Sequence, residues 1–169
     1  MDAARPVRHL RQSRGAPARG QDPQFPRDLP TLTLRAPVSN LKIINEGARS
    51  HLPFSPGIIA GDFLHVSGQA SVDPETGVII TDSFEGEVRR SIANLEAILR
   101  AAGLSLDHVI NVKSYVADEA DLAAYNAIYR EYFAAPPPTR STIVGVLGTK
   151  LKFELDCVAY VPATRQQAR

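Results

Sequence analysis

Two side chains in the C-terminal third offer the clearest chemistry. Arg140, in "PPPTRSTIVG", follows a run of prolines and precedes an apolar, strand-like segment, and no aspartate or glutamate lies between Glu131 and Glu154. A guanidinium with no acid nearby in sequence is free to take one from elsewhere. Its planar fork grips a carboxylate through two parallel hydrogen bonds that a lysine cannot imitate, so small carboxylic acids are its natural ligands. Glu154 opens the run "FELDCVAYV". If a neighbouring subunit covers it, desolvation raises its proton affinity while Arg140 lowers it, leaving a carboxylate able to orient and deprotonate water. The plainer readings are that Arg140 bridges to Glu154 or Glu131, and that Glu154 is a solvated residue on a half-exposed strand.

Weaker signals surround this pair. Asn126 stands between two tyrosines in "YNAIYREYF" and is either a hydrogen-bonding site residue or a surface amide. Phe54, Ser55 and Gly57 lie in "LPFSPGI", where two prolines make a rigid loop that either closes over a site or simply turns the chain. Gly68 in "VSGQ" permits close approach to the backbone or marks a bulge.

The elements that must position these residues are legible in the spacing. "LKIIN" and "DFLHVSG" read as strands, and "DPETG" reads as a turn, with Pro fixing φ and Gly77 free to take positive φ. "TDSFEGEVRRSIANLEAILRAAG" predicts a helix: Asp82 and Glu85 have capping-box spacing, Val88, Ile92, Leu95 and Leu99 form one stripe, and Gly103 suits the C-terminal cap. "HVINVKSYV" predicts a strand. Asp118 then caps a second helix with Leu122, Tyr125, Ile128, Tyr129 and Tyr132 at helical spacing, stopping at Pro136. "STIVGV" and "FELDCVAYV" predict two last strands joined by "LGTKLK" as a hairpin, which would bring Arg140 and Glu154 near one sheet edge. The order is two or three strands, a helix, a strand, a helix and two strands. This is an α+β fold with a mixed β-sheet and two helices packed on one face. Along the last strand Phe153, Leu155, Cys157 and Ala159 share one face, and Glu154, Asp156, Val158 and Tyr160 share the other. A sheet face without helices must be polar or covered by another chain, so self-association is expected.

Composition narrows the function class. Residues 1–40 carry seven arginines against three aspartates, leaving +4, whereas 41–169 carry twelve basic and fifteen acidic residues, leaving −3. A slightly acidic core is a poor match for a phosphate backbone, which argues against nucleic acid. The four histidines have no ligand-like spacing and there is one cysteine, Cys157, so no metal site is expected and Cys157 is read as a packed small apolar group in a reducing compartment. No apolar run has the length of a membrane span. Residues 1–40 are too rich in Arg and Pro to order themselves and read as a disordered extension, with an organelle transit peptide as the minor alternative to a cytoplasmic protein. The domain spans 41–162, and 163–169 is a short polar tail.

In order along the chain, "PFSPGI", "VSGQ", "DPETG", "NLEAILRAAGLSLDHVINVKSYVAD", "YNAIYREYF", "PPPTRSTIV" and "FELDCVAYV" resemble the RidA / YjgF family of reactive intermediate deaminases, also described as endoribonuclease L-PSP proteins. The resemblance implies a chorismate-mutase-like fold assembled as a homotrimer, with sites in clefts between subunits. It implies that Arg140 binds a substrate carboxylate with help from Thr142, that Glu154 positions the hydrolytic water, and that Gly68, Asn126 and Phe54 line the substrate site. The implied activity is that of a 2-iminobutanoate/2-iminopropanoate deaminase, hydrolysing enamines and imines such as 2-aminoacrylate to 2-keto acids and ammonia without a cofactor. A regulatory trimer that only binds small carboxylates and an RNA-cleaving translation inhibitor are the alternatives. The chain departs from the family pattern at Phe54, where tyrosine is usual, at Pro56, where glutamine is frequent, and at Thr142, where cysteine is frequent.

Overall fold

A computed structural model describes residues 40–163. Apart from Asn40 and Ala163, the expected extension over 1–40 and the tail over 163–169 lie outside the described residues. Six strands form one sheet: β1 (Leu41–Ile44), β2 (Gly57–Ala60), β3 (Phe63–Ala70), β4 (Val109–Val116), β5 (Thr139–Val144) and β6 (Phe153–Tyr160), in the spatial order β1-β2-β3-β6-β4-β5. Helix α1 (Phe84–Ala101) connects β3 to β4 and helix α2 (Leu122–Tyr132) connects β4 to β5. The β4–β5 pair is parallel and every other pair is antiparallel. The α+β reading with a mixed sheet is therefore correct.

The core forms where the two periodicities meet. From α1, Val88, Ile92, Leu95 and Leu99 are fully buried, as the stripe requires. They face Leu64 and Val66 of β3, Val112 and Val116 of β4, and Phe153, Leu155, Cys157 and Ala159 of β6, the alternate residues that point to one side of the pleat. Each fully buried aliphatic side chain contributes about 1.5–3 kcal/mol of transfer free energy. Cys157 is buried as expected, and its desolvation pushes the thiol pKa up to about 12, well away from reactive thiolate chemistry.

Two expectations are corrected. The segments "STIVGV" and "FELDCVAYV" do not form a hairpin: β5 lies outside β4, and β6 runs back into the gap between β3 and β4. Val116 at the end of β4 pairs with both Val144 and Phe153, so the intervening loop steps over the end of that strand. Eight residues span the ~10 Å of two interstrand spacings easily. A short polar connection signals proximity of strand ends, and it does not distinguish adjacent strands from strands one apart. The other correction concerns β2, whose first residues fall in the segment read as a rigid loop. Gly57 packs against Ile98 and Leu64, where a Cβ would come within 3.0 and 3.1 Å of their side chains.

The caps also shift by a residue or more. The α1 N-cap is Ser83, whose hydroxyl accepts from the Gly86 N–H at 3.1 Å, while Asp82 accepts from Ser83 N–H and Arg90. Asp118 caps a short 3₁₀ turn over Glu119–Asp121 and α2 begins after it. Gly103, with φ of +75°, follows α1 as expected. Glu87 is fully buried in α1: its carboxylate accepts from the backbone N–H of Lys152 at 2.8 Å and of Asp82 at 3.3 Å. It ties the entry of β6 to the start of the helix.

Candidate functional site

Glu154 sits on the helix-free face of β6, opposite Ala70 of β3 and Tyr115 of β4. Between Val66 and Gln69 the β3–β6 ladder slips, with Ser67 and Gly68 opposing Asp156 alone, which is a β-bulge. The Gln69 amide donates to the carbonyls of Ser67 and Gly68, and Ser67 Oγ donates to the Ser55 carbonyl, so the bulge is held from both sides. The Glu154 carboxylate lies over Gly68: a Cβ there would collide with Oε1 and approach Cδ to 3.0 Å. Both readings of Gly68, bulge and close approach, thus apply together.

Burial raises the Glu154 pKa above the ordinary carboxylate value, and the charge of Asp156 raises it further. Among the described residues no donor is paired with this carboxylate. Asp156 itself accepts a hydrogen bond from Tyr115 Oη at 3.1 Å. Glu154, Gly68 and Phe54 line one cleft of about 640 Å³, whose walls also include Leu52, Pro56 and Ile79. Phe54 is exposed, consistent with a loop that borders a cleft.

Arg140 sits elsewhere. It pairs in register with Val112, whose side chain faces the helices, whereas Glu154 pairs with Tyr115 on the other side. The two side chains therefore project from opposite faces, and the sheet-edge meeting expected from a hairpin does not occur within one chain. The bridge to Glu131 does not form either, because Glu131 is gripped by Arg89 at 2.7 and 3.0 Å. Instead the Arg140 guanidinium lies 4.6 Å from the ring centroid of Tyr129 and 5.0 Å from that of Tyr125, and Nη2 donates to Asn126 Oδ1 at 2.6 Å.

The two tyrosines, read from the sequence as part of a helical repeat, form a platform. Their spacing of four residues, flanking Asn126, puts both rings under one cation. Tyr125 is held by a hydrogen bond with the Ser114 hydroxyl, and burial pushes the pKa of the Tyr129 hydroxyl up to about 12. Thr142 is half-buried on β5, two residues along on the same face as Arg140. Arg140, Asn126 and Tyr129 line a second cleft, also of about 640 Å³, together with Arg130 and Phe133. Glu154, Gly68 and Phe54 thus line one cleft and Arg140 and Asn126 the other, while Thr142 lines neither. Among the described residues no cluster of ligating side chains is arranged to hold a metal ion.

Residues 46–161, more than half of the chain, match the family described as Endoribonuclease L-PSP. The chain belongs to that family. Its members include the RidA / YjgF proteins that the ordered motifs resemble. A RutC family protein of Pyrococcus horikoshii is 39% identical over 109 residues, covering 64% of this chain and 86% of that one. Reactive Intermediate Deaminase A, chloroplastic, of Arabidopsis thaliana is 36% identical over 108 residues, covering 63% of this chain and 58% of its own length. The crystal structure of Escherichia coli TdcF with bound serine aligns with a TM-score of 0.62 at 31% identity, covering 72% of this L-PSP chain and 99% of that one.

Proposed function

We propose that this L-PSP protein hydrolyses reactive 2-imino and 2-enamino acids, such as 2-iminopropanoate and 2-aminoacrylate, to 2-keto acids and ammonia, at sites shared between copies in a homotrimer. The observation that carries the reading is Glu154: a half-buried carboxylate seated on a bulge glycine at the wall of a cleft, paired with no donor and raised in proton affinity. A group so placed accepts a proton from water more readily than a solvated carboxylate does.

The second requirement is a cation for the substrate carboxylate, and Arg140 supplies it, with Nη2 donating to Asn126. Because Arg140 and Glu154 face opposite ways in one chain, the site takes Arg140 from one copy and Glu154 from the next. The helix-free sheet face exposes Leu41, Ile43, Phe63, Tyr160 and Ile143, an apolar surface suited to burial against another copy.

In the reaction, Arg140 and the Thr142 hydroxyl hold the carboxylate of the substrate. An enamine first takes a proton at C3 and loses one from nitrogen to become the imine. Glu154 takes one proton from water as its oxygen attacks C2 and the imine nitrogen picks up a proton from solvent, giving an amino alcohol. Glu154 then returns its proton to that nitrogen, and ammonia leaves as the C2 hydroxyl releases its proton to solvent and becomes the carbonyl. Water and proton transfers suffice, because an imine carbon is already electrophilic. A name of "reactive intermediate deaminase" on the Arabidopsis relative supports the reading. Among the described residues no helix is long and apolar enough to cross a membrane.

The test is to generate 2-iminopropanoate in the presence of the purified protein and follow its decay. Acceleration by the native chain and none by Arg140→Ala supports the reading. Binding of 2-oxobutanoate without accelerated decay supports a regulatory trimer instead.

A further inference from the structure

The Arg140 cleft holds a second cation that the proposed reaction with small imines does not use. Arg130 is exposed in the last turn of α2, and its Nη1 donates to the backbone carbonyl of Asn126 at 3.2 Å. Arg140 Nη2 donates to the side-chain oxygen of the same residue at 2.6 Å. Both guanidinium groups therefore grip one asparagine and lie within the reach of one small molecule. Each has spent one arm on a neutral oxygen.

Nothing on the cleft wall offsets these charges. No acidic residue lines it, and among the described residues neither arginine is paired with a carboxylate. Glu131, next to Arg130 in sequence, is committed to Arg89 through two hydrogen bonds. The remaining wall is aromatic and aliphatic, with Tyr129, Phe133, Pro137 and Pro138. Two like charges beside an apolar wall repel each other and attract anions more strongly than they would in bulk water. The Glu154 carboxylate of an adjacent copy offsets one of them at most.

We infer that the site is built for imines bearing a second carboxylate, those derived from acidic amino acids, with Arg140 on the carboxylate at C1 and Arg130 on the distal one. Planar forks suit planar carboxylates, and a C4 or C5 dicarboxylate presents two of them a few bonds apart. The hydrolysis balances as before: imine and water give the 2-keto dicarboxylate and ammonia. The inference rests on the deaminase reading for its chemistry and on the two arginines alone for its ligand.

The experiment uses the full chain, native and Arg130→Gln, with two measurements. Turnover is compared for 2-iminoglutarate and 2-iminopropanoate generated in situ, and binding is compared for 2-oxoglutarate and 2-oxobutanoate by calorimetry. The native protein prefers the dicarboxylate in both, and Arg130→Gln lowers the dicarboxylate-to-monocarboxylate ratio by about tenfold, the scale of one lost charge-assisted pair. No native preference, or a ratio unchanged by the substitution, overturns the inference. If 2-iminopropanoate is hydrolysed without such a preference, the inference falls and the deaminase reading stands. If neither imine is hydrolysed yet 2-oxoglutarate binds with an Arg130-dependent preference, the deaminase reading falls and the ligand class stands.

Discussion

Arg140 and Glu154 project from opposite faces of one sheet, with β4 between their strands and a three-residue offset along it, Val112 beside the first and Tyr115 beside the second. A carboxylate ligand on one is out of reach of the other in a single chain. In the proposed reaction the two share a site where the face bearing Glu154 meets the β5 edge of another copy.

Mixing of defective copies tests that directly. Arg140→Ala and Glu154→Gln proteins, each inactive alone, regain activity when unfolded and refolded together, because some sites draw the intact residue from each parent. Random assembly at equal amounts restores about one quarter of the sites in a cyclic oligomer with one such contact per interface. No recovery would overturn the reading of a site shared between copies.

Replacing Gly68 separates fold from function. In Gly68→Ala the new methyl meets the flexible end of Glu154 rather than backbone, so the carboxylate moves and the ladder stays. Melting temperature changes by a few degrees at most, while kcat/KM for 2-iminopropanoate falls roughly tenfold or more, the cost of displacing a positioned base.

The acid limb of the rate profile reports Glu154. Its pKa is raised by burial and then by Asp156, so activity falls as pH drops through a midpoint above the ordinary glutamate value. Asp156→Asn removes a neighbouring negative charge, stabilises the ionised Glu154 and moves that midpoint to lower pH. The same raised pKa has a stability sign. The contribution of Glu154 is present below its unfolded value and is lost as pH rises through the folded one, so Glu154→Gln is more stable than the native chain at neutral pH. Kinetic profiles and thermal melts across pH read the two effects separately.

Arg140→Lys keeps the charge and loses the fork and its stacking on Tyr125 and Tyr129. Loss of a charge-assisted bidentate contact, roughly 1.5–3 kcal/mol, lowers kcat/KM by about 10- to 100-fold. Activity retained within about twofold would show that a point charge suffices there.

Glu87→Ala removes the acceptor of the part-buried hydrogen bonds from the backbone N–H groups of Asp82 and Lys152 and costs about 1–3 kcal/mol in denaturant unfolding. Glu87→Gln keeps one accepting oxygen and costs less.

Periodicity made the core readable. The α1 stripe and the alternation along β6 were both visible because burial on one face imposes a fixed repeat, and the structure buries those residues. Strand order was not readable in the same way. Local sequence specifies that β5 and β6 are strands, but the insertion of β6 between β3 and β4 is decided by long-range packing. Of the candidate site, the residue types Arg140, Glu154 and Gly68 stood out, while their division between two clefts depended on register and face. The platform of Tyr125 and Tyr129 looked like ordinary helical spacing, and the flanked Asn126 was its one hint. Arg130 carried no signal, since a lone arginine late in a helix is an ordinary surface residue.

The Glu87 clasp on Lys152 has a consequence for loop length. It pins the chain two residues ahead of Glu154, so the loop over 145–151 is mechanically insulated from the carboxylate that follows. A change in the length of that loop is therefore expected to leave the position of Glu154 in place.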